Sequence, residues 1–164
     1  MPQNFSWLSP LGISVALFLF NGAFYIFIGA LAPFMVNTEM GRQILVISGR
    51  TDKVVFGDSP ENLLKNDPVL AKFRTIIFNM LGGMLATVGV LVIAVAWFSL
   101  RLGQAWALVA LMLAGIIVLP FWWLVFRPYL EVGAPVSFYD LPPIMWVPGS
   151  LLIPAVVLGW IGLR

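Results

Sequence analysis

The sequence predicts an all-α membrane protein in which four transmembrane helices form a bundle, with a structured polar loop between the first two helices. Two observations support this fold class. The chain of 164 residues is 61% hydrophobic and only 10% charged, which is far from the composition of soluble globular domains. It also contains four long stretches without any charged residue, and these are Leu11–Val36, Ile76–Leu100, Leu102–Phe126 and Leu141–Leu163.

Each charge-free stretch is long enough to cross a bilayer. A transmembrane helix needs about 20 apolar residues, at about 1.5 Å per residue, to cross roughly 30 Å of hydrocarbon. A soluble core helix of this length would carry a polar face, and these stretches have none. We therefore predict a single membrane domain over residues 1–164, with spans at about 11–36, 76–100, 102–126 and 144–163.

The extramembrane loop 38–75, here called loop one, is predicted to be ordered. Its runs Gln43–Ser48 and Lys53–Phe56 are rich in β-prone residues and are separated by a turn-like segment, which predicts a small β-hairpin. Ser59 followed by Pro60 is typical of the N-cap and first residue of a helix, so a short helix should follow the hairpin.

The segment 128–143, here called loop three, is rich in proline and aromatic residues. Only Glu131 and Asp140 are charged in it. Such a segment is too apolar for water and contains too much proline for a spanning helix. We expect it to lie flat on the bilayer or against a neighbouring subunit. Lys and Arg are concentrated on the side of loops one and three, which favours cytoplasmic loops and both termini outside.

Several kinds of chemistry are excluded by composition. The chain has no cysteine and no histidine, which removes thiolate metal sites, cysteine nucleophiles and the commonest metal ligand and general base. No span carries an internal charge of the kind that pumps, channels and coupled transporters use. No Lys/Arg cluster suggests nucleic acid. We therefore predict no catalytic residues, no metal site and no cofactor other than a bound lipid or similar apolar ligand.

Four acids of loop one were weighed as a carboxylate metal site. Their interleaving with Arg50, Lys53 and Lys65 favours solvated charge pairs instead. The four acids are Asp52, Asp58, Glu61 and Asp67.

Three polar residues inside the spans are the candidate binding residues. Asn21, Asn79 and Thr87 would orient the polar end of a lipid, quinone or other apolar ligand bound between the helices. The plainer alternative, which we favour, is that they form interhelical hydrogen bonds.

Two segments resemble a group of small prokaryotic four-helix membrane proteins, broadly DoxX-like. The resemblance is carried by Asp67–Arg74 at the entry to the second span and by Ala96–Ala107 around the tight turn after it. It implies a prokaryotic inner or plasma membrane and a cytoplasmic turn at Arg101. Both termini would then be inside, which opposes the orientation from the charge count. The resemblance implies no catalytic residues.

These observations lead to one leading expectation and one alternative for function. The missing catalytic groups, the uncharged spans and the apolar loop three favour a non-catalytic accessory or structural subunit of a larger membrane complex. It would stabilise neighbouring subunits through helix packing and loop contacts. The alternative is a stand-alone four-helix bundle that binds a lipid, quinone or other apolar ligand.

Overall fold

The computed structural model describes residues 5–164, and this part of the chain is mostly helical with no strand. Four of its helical segments are long and apolar enough to cross a membrane, which confirms the predicted helical fold with four spans and indicates a multi-pass membrane protein. The four segments are Pro10–Met35, Pro68–Leu102, Ala105–Glu131 and Pro143–Gly162.

Eight α-helices make up the described chain. In order they are α1 (Pro10–Met35), α2 (Glu39–Arg42), α3 (Gly49–Phe56), α4 (Pro60–Asn66), α5 (Pro68–Phe98), α6 (Ala105–Ile116), α7 (Val118–Glu131) and α8 (Pro143–Gly162). Short 3₁₀ turns lie at Leu100–Leu102 and Phe138–Asp140. Because the chain crosses the bundle twice between loop one and loop three, the two loops lie at the same end of the bundle, here called the loop side.

The β-hairpin predicted in loop one is wrong. Lys53–Phe56 lies in α3, and Gln43–Ser48 is irregular. The helix forms because its ends are capped locally. The Ser48 side chain accepts a hydrogen bond from the Thr51 amide, and Gly57 ends the helix in the left-handed region at φ 81°. Local capping therefore outweighs the β propensity of the run.

The short helix predicted after Ser59 is present as α4. The Ser59 hydroxyl accepts a hydrogen bond from the Asn62 amide at 3.3 Å. Asp67 then caps α5, because its Oδ1 accepts hydrogen bonds from the Val69 and Leu70 amides in the first turn of that helix. At the other end of the chain, α7 continues through Pro128 to Glu131, so the irregular part of loop three begins only after it.

Helix α1 is the centre of the bundle and packs along both α5 and α8. Its contact with α5 is a backbone-to-backbone approach at two glycine pairs. A Cβ atom on Gly22 would lie 2.8 Å from the Gly89 carbonyl oxygen, and one on Gly29 would lie 2.5 Å from that of Gly82. Small residues allow this close approach, which is typical of membrane helix pairs. On the α8 side, the buried Ser14 hydroxyl donates to the Ala155 carbonyl at 2.7 Å.

The third span leaves the bundle halfway along its length. Its helix is interrupted at Ile117, and Pro120 has no N–H with which to bond the carbonyl of the preceding turn. The α6 half packs against α5 and α8, whereas the α7 half packs against α6 and against α3 of loop one. Phe121 and Trp123 of α7 are each 62% exposed. Contact with α3 of loop one therefore helps to hold the α7 half in place.

Candidate functional site

Loops one and three fold onto each other to form a polar structure on the loop side, here called the cap. It comprises residues 37–67 and 132–142. A small apolar cluster joins Ile47 and Ala134 of the cap to Tyr129 near the end of α7. Two carboxylates, Asp52 and Asp140, accept three of the hydrogen bonds that join the two loops.

Asp52 is completely buried and accepts four hydrogen bonds. Its Oδ2 accepts from the amides of Leu45 and Val46 at 2.7 and 2.9 Å. Its Oδ1 accepts from the Ile47 amide at 3.2 Å and from the Tyr129 hydroxyl at 2.7 Å. The expectation that Asp52 forms a solvated charge pair is therefore wrong. Its two oxygens accept from amide and hydroxyl donors, and these bonds also fix the shape of loop one.

Asp140 is the second carboxylate of the cap and receives hydrogen bonds from both loops. Arg50 donates to its Oδ2 at 2.5 Å, and the Ser48 hydroxyl donates to its Oδ1 at 3.0 Å. The amide and hydroxyl of Ser137 donate to it from loop three. Arg50 also donates to the Pro135 carbonyl at 2.9 Å. Arg50 therefore pairs across the loops, and not with the acids of its own loop as expected.

The Asp140 contact should make the cap sensitive to acid. The Arg50 guanidinium, followed by the Ser137 hydroxyl, holds the pKa of the Asp140 carboxyl well below its ordinary value of 3.8. A lowered folded-state pKa stabilises the cap above the ordinary pKa, and this stabilisation is lost as pH falls below about 4. Hydrogen exchange at the Ser137 amide, corrected for intrinsic rates, should show protection falling below that pH. Asp140→Asn should have low protection at every pH, whereas the exposed acid variant Glu39→Gln should behave like the wild type.

Arg74 connects loop one to the second span. The side chain is only 6% exposed and donates to three backbone carbonyls. Its Nη1 donates to Val36 at 2.9 Å, its Nη2 to Gly41 at 2.6 Å, and both Nε and Nη2 donate to Ile44. Within residues 5–164 no carboxylate lies within 4.0 Å of it. The guanidinium therefore ties the end of α1 and the start of loop one to α5 without an ion pair.

Two open cavities lie on the loop side. One, of about 400 Å³, lies where loop one meets α5, and Arg42, Lys65 and Arg74 are among its lining residues. The other, of about 390 Å³, lies along α7 beside Trp123 and Arg127. No residue of the apolar core between α1, α5, α6 and α8 lines either cavity.

The structure does not bring the three predicted binding residues together. Asn21 is buried at 7% exposure, and its side-chain oxygen has no hydrogen-bond partner. Asn79 and Thr87 are exposed on the outer face of α5, where the Thr87 hydroxyl donates back to the Gly83 carbonyl at 2.9 Å. The expected hydrogen bonds between helices are therefore absent at these positions within the described chain. The only side-chain hydrogen bond between two spans inside the bundle core there is made by Ser14.

Comparison with protein families, with curated proteins and with solved structures finds no match to this chain. The DoxX-like relationship of Asp67–Arg74 and Ala96–Ala107 therefore stays a prediction. Across residues 5–164, no three acidic side chains are grouped in a way that could hold a metal ion.

Proposed function

We propose that the protein is a non-catalytic accessory subunit of a larger membrane complex and that it docks on a partner through the outer face of α5. The observation that supports this proposal is a ridge formed by Asn79, Gly83 and Thr87, here called the α5 ridge. These residues are four apart, so they lie along one side of the helix. All three are exposed.

The α5 ridge has the chemistry of a membrane helix contact. A Cβ atom added to Gly83 would meet no atom within 4 Å, so a second helix has room to approach the backbone there. The Asn79 amide makes no hydrogen bond to any described residue, and an unpaired amide facing hydrocarbon is costly. A partner helix with a polar side chain would satisfy this amide. Gly82 and Gly89, the glycines of α5 that face α1, already pack against the backbone of that helix.

The cap supports the non-catalytic part of the proposal. A catalytic carboxylate must be free to exchange a proton with substrate or to bind a metal. Asp52 is buried and already accepts four hydrogen bonds, and Asp140 is held by Arg50 and two serines. Both groups act as structural links between loops.

One observation favours the alternative, a bundle that binds an apolar ligand. The buried Asn21 oxygen lacks a partner, and a ligand hydroxyl or N–H could supply one. The two cavities of the loop side are not lined by Asn21, however. The α5 ridge is therefore the stronger basis for a function.

Gly83→Leu tests the proposal, with Gly149→Leu as a matched control on α8. Both glycines are exposed, and added side chains meet open space at both. After purification in mild detergent and mass measurement, the wild type and Gly149→Leu should retain a partner subunit. Gly83→Leu should lose at least about tenfold of it, because the new side chain keeps the partner backbone away.

Two results would count against the proposal. One is equal partner retention by Gly83→Leu and Gly149→Leu, which would place the contact elsewhere. The other is a wild type that purifies as a single chain with one apolar ligand, which Asn21→Leu then loses while the bundle stays folded. The second result would support the ligand-binding alternative.

A further inference from the structure

The cavity where loop one meets α5 is strongly basic. Arg42, Lys65 and Arg74 contribute three positive charges to its lining, and Glu61 is the single acid there. Neither Arg42 nor Lys65 forms an ion pair within the described chain, and both are exposed. A concave surface with an excess of charges of one sign concentrates ions of the opposite sign.

Arg74 makes this cavity more than an arrangement of surface lysine and arginine side chains. It is nine-tenths buried, its position is held by backbone carbonyls, and it has no carboxylate partner. Its four hydrogen bonds use four of the five N–H groups of a guanidinium, which leaves one N–H on Nη1 free. A buried cation that forms no direct ion pair is costly, and an anion in the cavity would reduce that cost.

The position of the cavity indicates where the anion comes from. It lies between the residues that follow the end of α1, the helix α4 and the first turns of α5. At this level the charge-free stretch of α1 ends at Val36 and that of α5 begins at Ile76. Headgroup phosphates of a bilayer lie at this depth, and arginine suits phosphate because its planar fork donates two hydrogen bonds at once.

We propose that this cavity binds a phosphate group, carried either by a phospholipid headgroup or by a free phosphate. Arg42 and Lys65 supply exposed charges in its lining, and Arg74 supplies a buried donor held in place by backbone carbonyls. The site is independent of the α5 ridge, whose residues do not line it. Binding here would link loop one to the membrane surface at a defined depth.

The test compares two charge-matched double variants of the full chain. Arg42→Gln with Lys65→Gln removes the two exposed positive charges of the cavity. Lys53→Gln with Arg164→Gln removes two charges that do not line it. Native mass spectrometry in detergent would measure binding of phosphatidylglycerol, with diacylglycerol as the phosphate-free lipid. A second arm would measure thermal stabilisation by inorganic phosphate alone.

We expect the first double variant to bind phosphatidylglycerol about tenfold more weakly than the wild type, and the second to be unchanged. Stabilisation by inorganic phosphate that is lost in the first variant would identify a free-phosphate site, and its absence would identify a headgroup site. Equal lipid binding by both double variants, or equal binding of diacylglycerol, would overturn the proposal. Unchanged hydrogen exchange at the Ile47 amide would verify that the first variant keeps its fold.

Discussion

Asp52→Asn is expected to unfold the cap while the four spans remain packed. The carboxylate accepts hydrogen bonds from three amides and one hydroxyl, with two donors at each oxygen. An asparagine amide group would put an NH₂ donor against one of these donor pairs, whichever way it is oriented. In either orientation at least one buried amide, that of Leu45 or Ile47, would then lack an acceptor, and the free energy that holds the cap closed should fall by about 1–3 kcal/mol.

Hydrogen exchange at the amides of Leu45, Val46 and Ile47 measures this loss directly. These amides should become unprotected in Asp52→Asn. Asp58→Asn is the control, because among residues 5–164 Asp58 accepts hydrogen bonds only from Ser59 and Asn62, which are close to it in the chain. Protected amides in Asp52→Asn would show that the carboxylate does not hold the cap.

Tyr129→Phe separates the role of the Tyr129 hydroxyl from that of the three amides that bond to Asp52. It removes the single hydrogen bond that joins Asp52 to α7 and leaves the three amide bonds of loop one in place. Loop one should therefore stay protected in Tyr129→Phe while loop three becomes less protected. Loss of protection in both loops would mean that α7 is needed to shape loop one.

The spans could be predicted from sequence because the requirement is one of composition and length. A helix in lipid must satisfy all of its backbone hydrogen bonds internally and present apolar side chains over about 30 Å. The runs from Leu11 and from Ile76 meet both conditions without reference to the rest of the chain. The short helix α4 could be predicted for a similar reason, since Ser59 and Pro60 act on their immediate neighbours.

The cap could not be predicted because its contacts join residues that are far apart in the chain. Asp52 and Tyr129 are separated by 77 positions, and Arg50 and Asp140 by 90. No local pattern distinguishes a loop aspartate that is later buried from one that stays solvated. The acids and bases alternate along loop one, which suggested local pairing, but Arg50 bonds to loop three instead.

The sequence also could not show which polar residues of the spans face the interior of the bundle. A helix that is apolar on every side has no polar face from which its orientation can be inferred. Asn21 and Asn79 therefore looked equivalent in sequence, yet one is buried and the other is exposed. Only the packing of α1 against α5 and α8 distinguishes them.

The packing of α1 against α5 leads to the second large expected effect, that of Gly89→Leu. A Cβ atom on Gly89 would lie 2.5 Å from the Gly22 carbonyl oxygen and 2.9 Å from the Ile26 amide nitrogen. Both neighbours are helix backbone, which cannot move aside as a flexible side chain can. The two helices must separate, and the bundle should lose about 1–3 kcal/mol of stability.

Gly83→Leu is the matched control for this prediction. It makes the same substitution six positions away on the same helix, where an added Cβ meets nothing within 4 Å. Thermal unfolding of the purified chain in detergent should show a lower midpoint for Gly89→Leu and little change for Gly83→Leu. The same pair separates bundle packing from partner docking, because Gly83→Leu should lose the partner subunit while its own fold stays intact. Equal destabilisation by both substitutions would mean that the close approach of Gly22 and Gly89 does not determine how α1 and α5 pack.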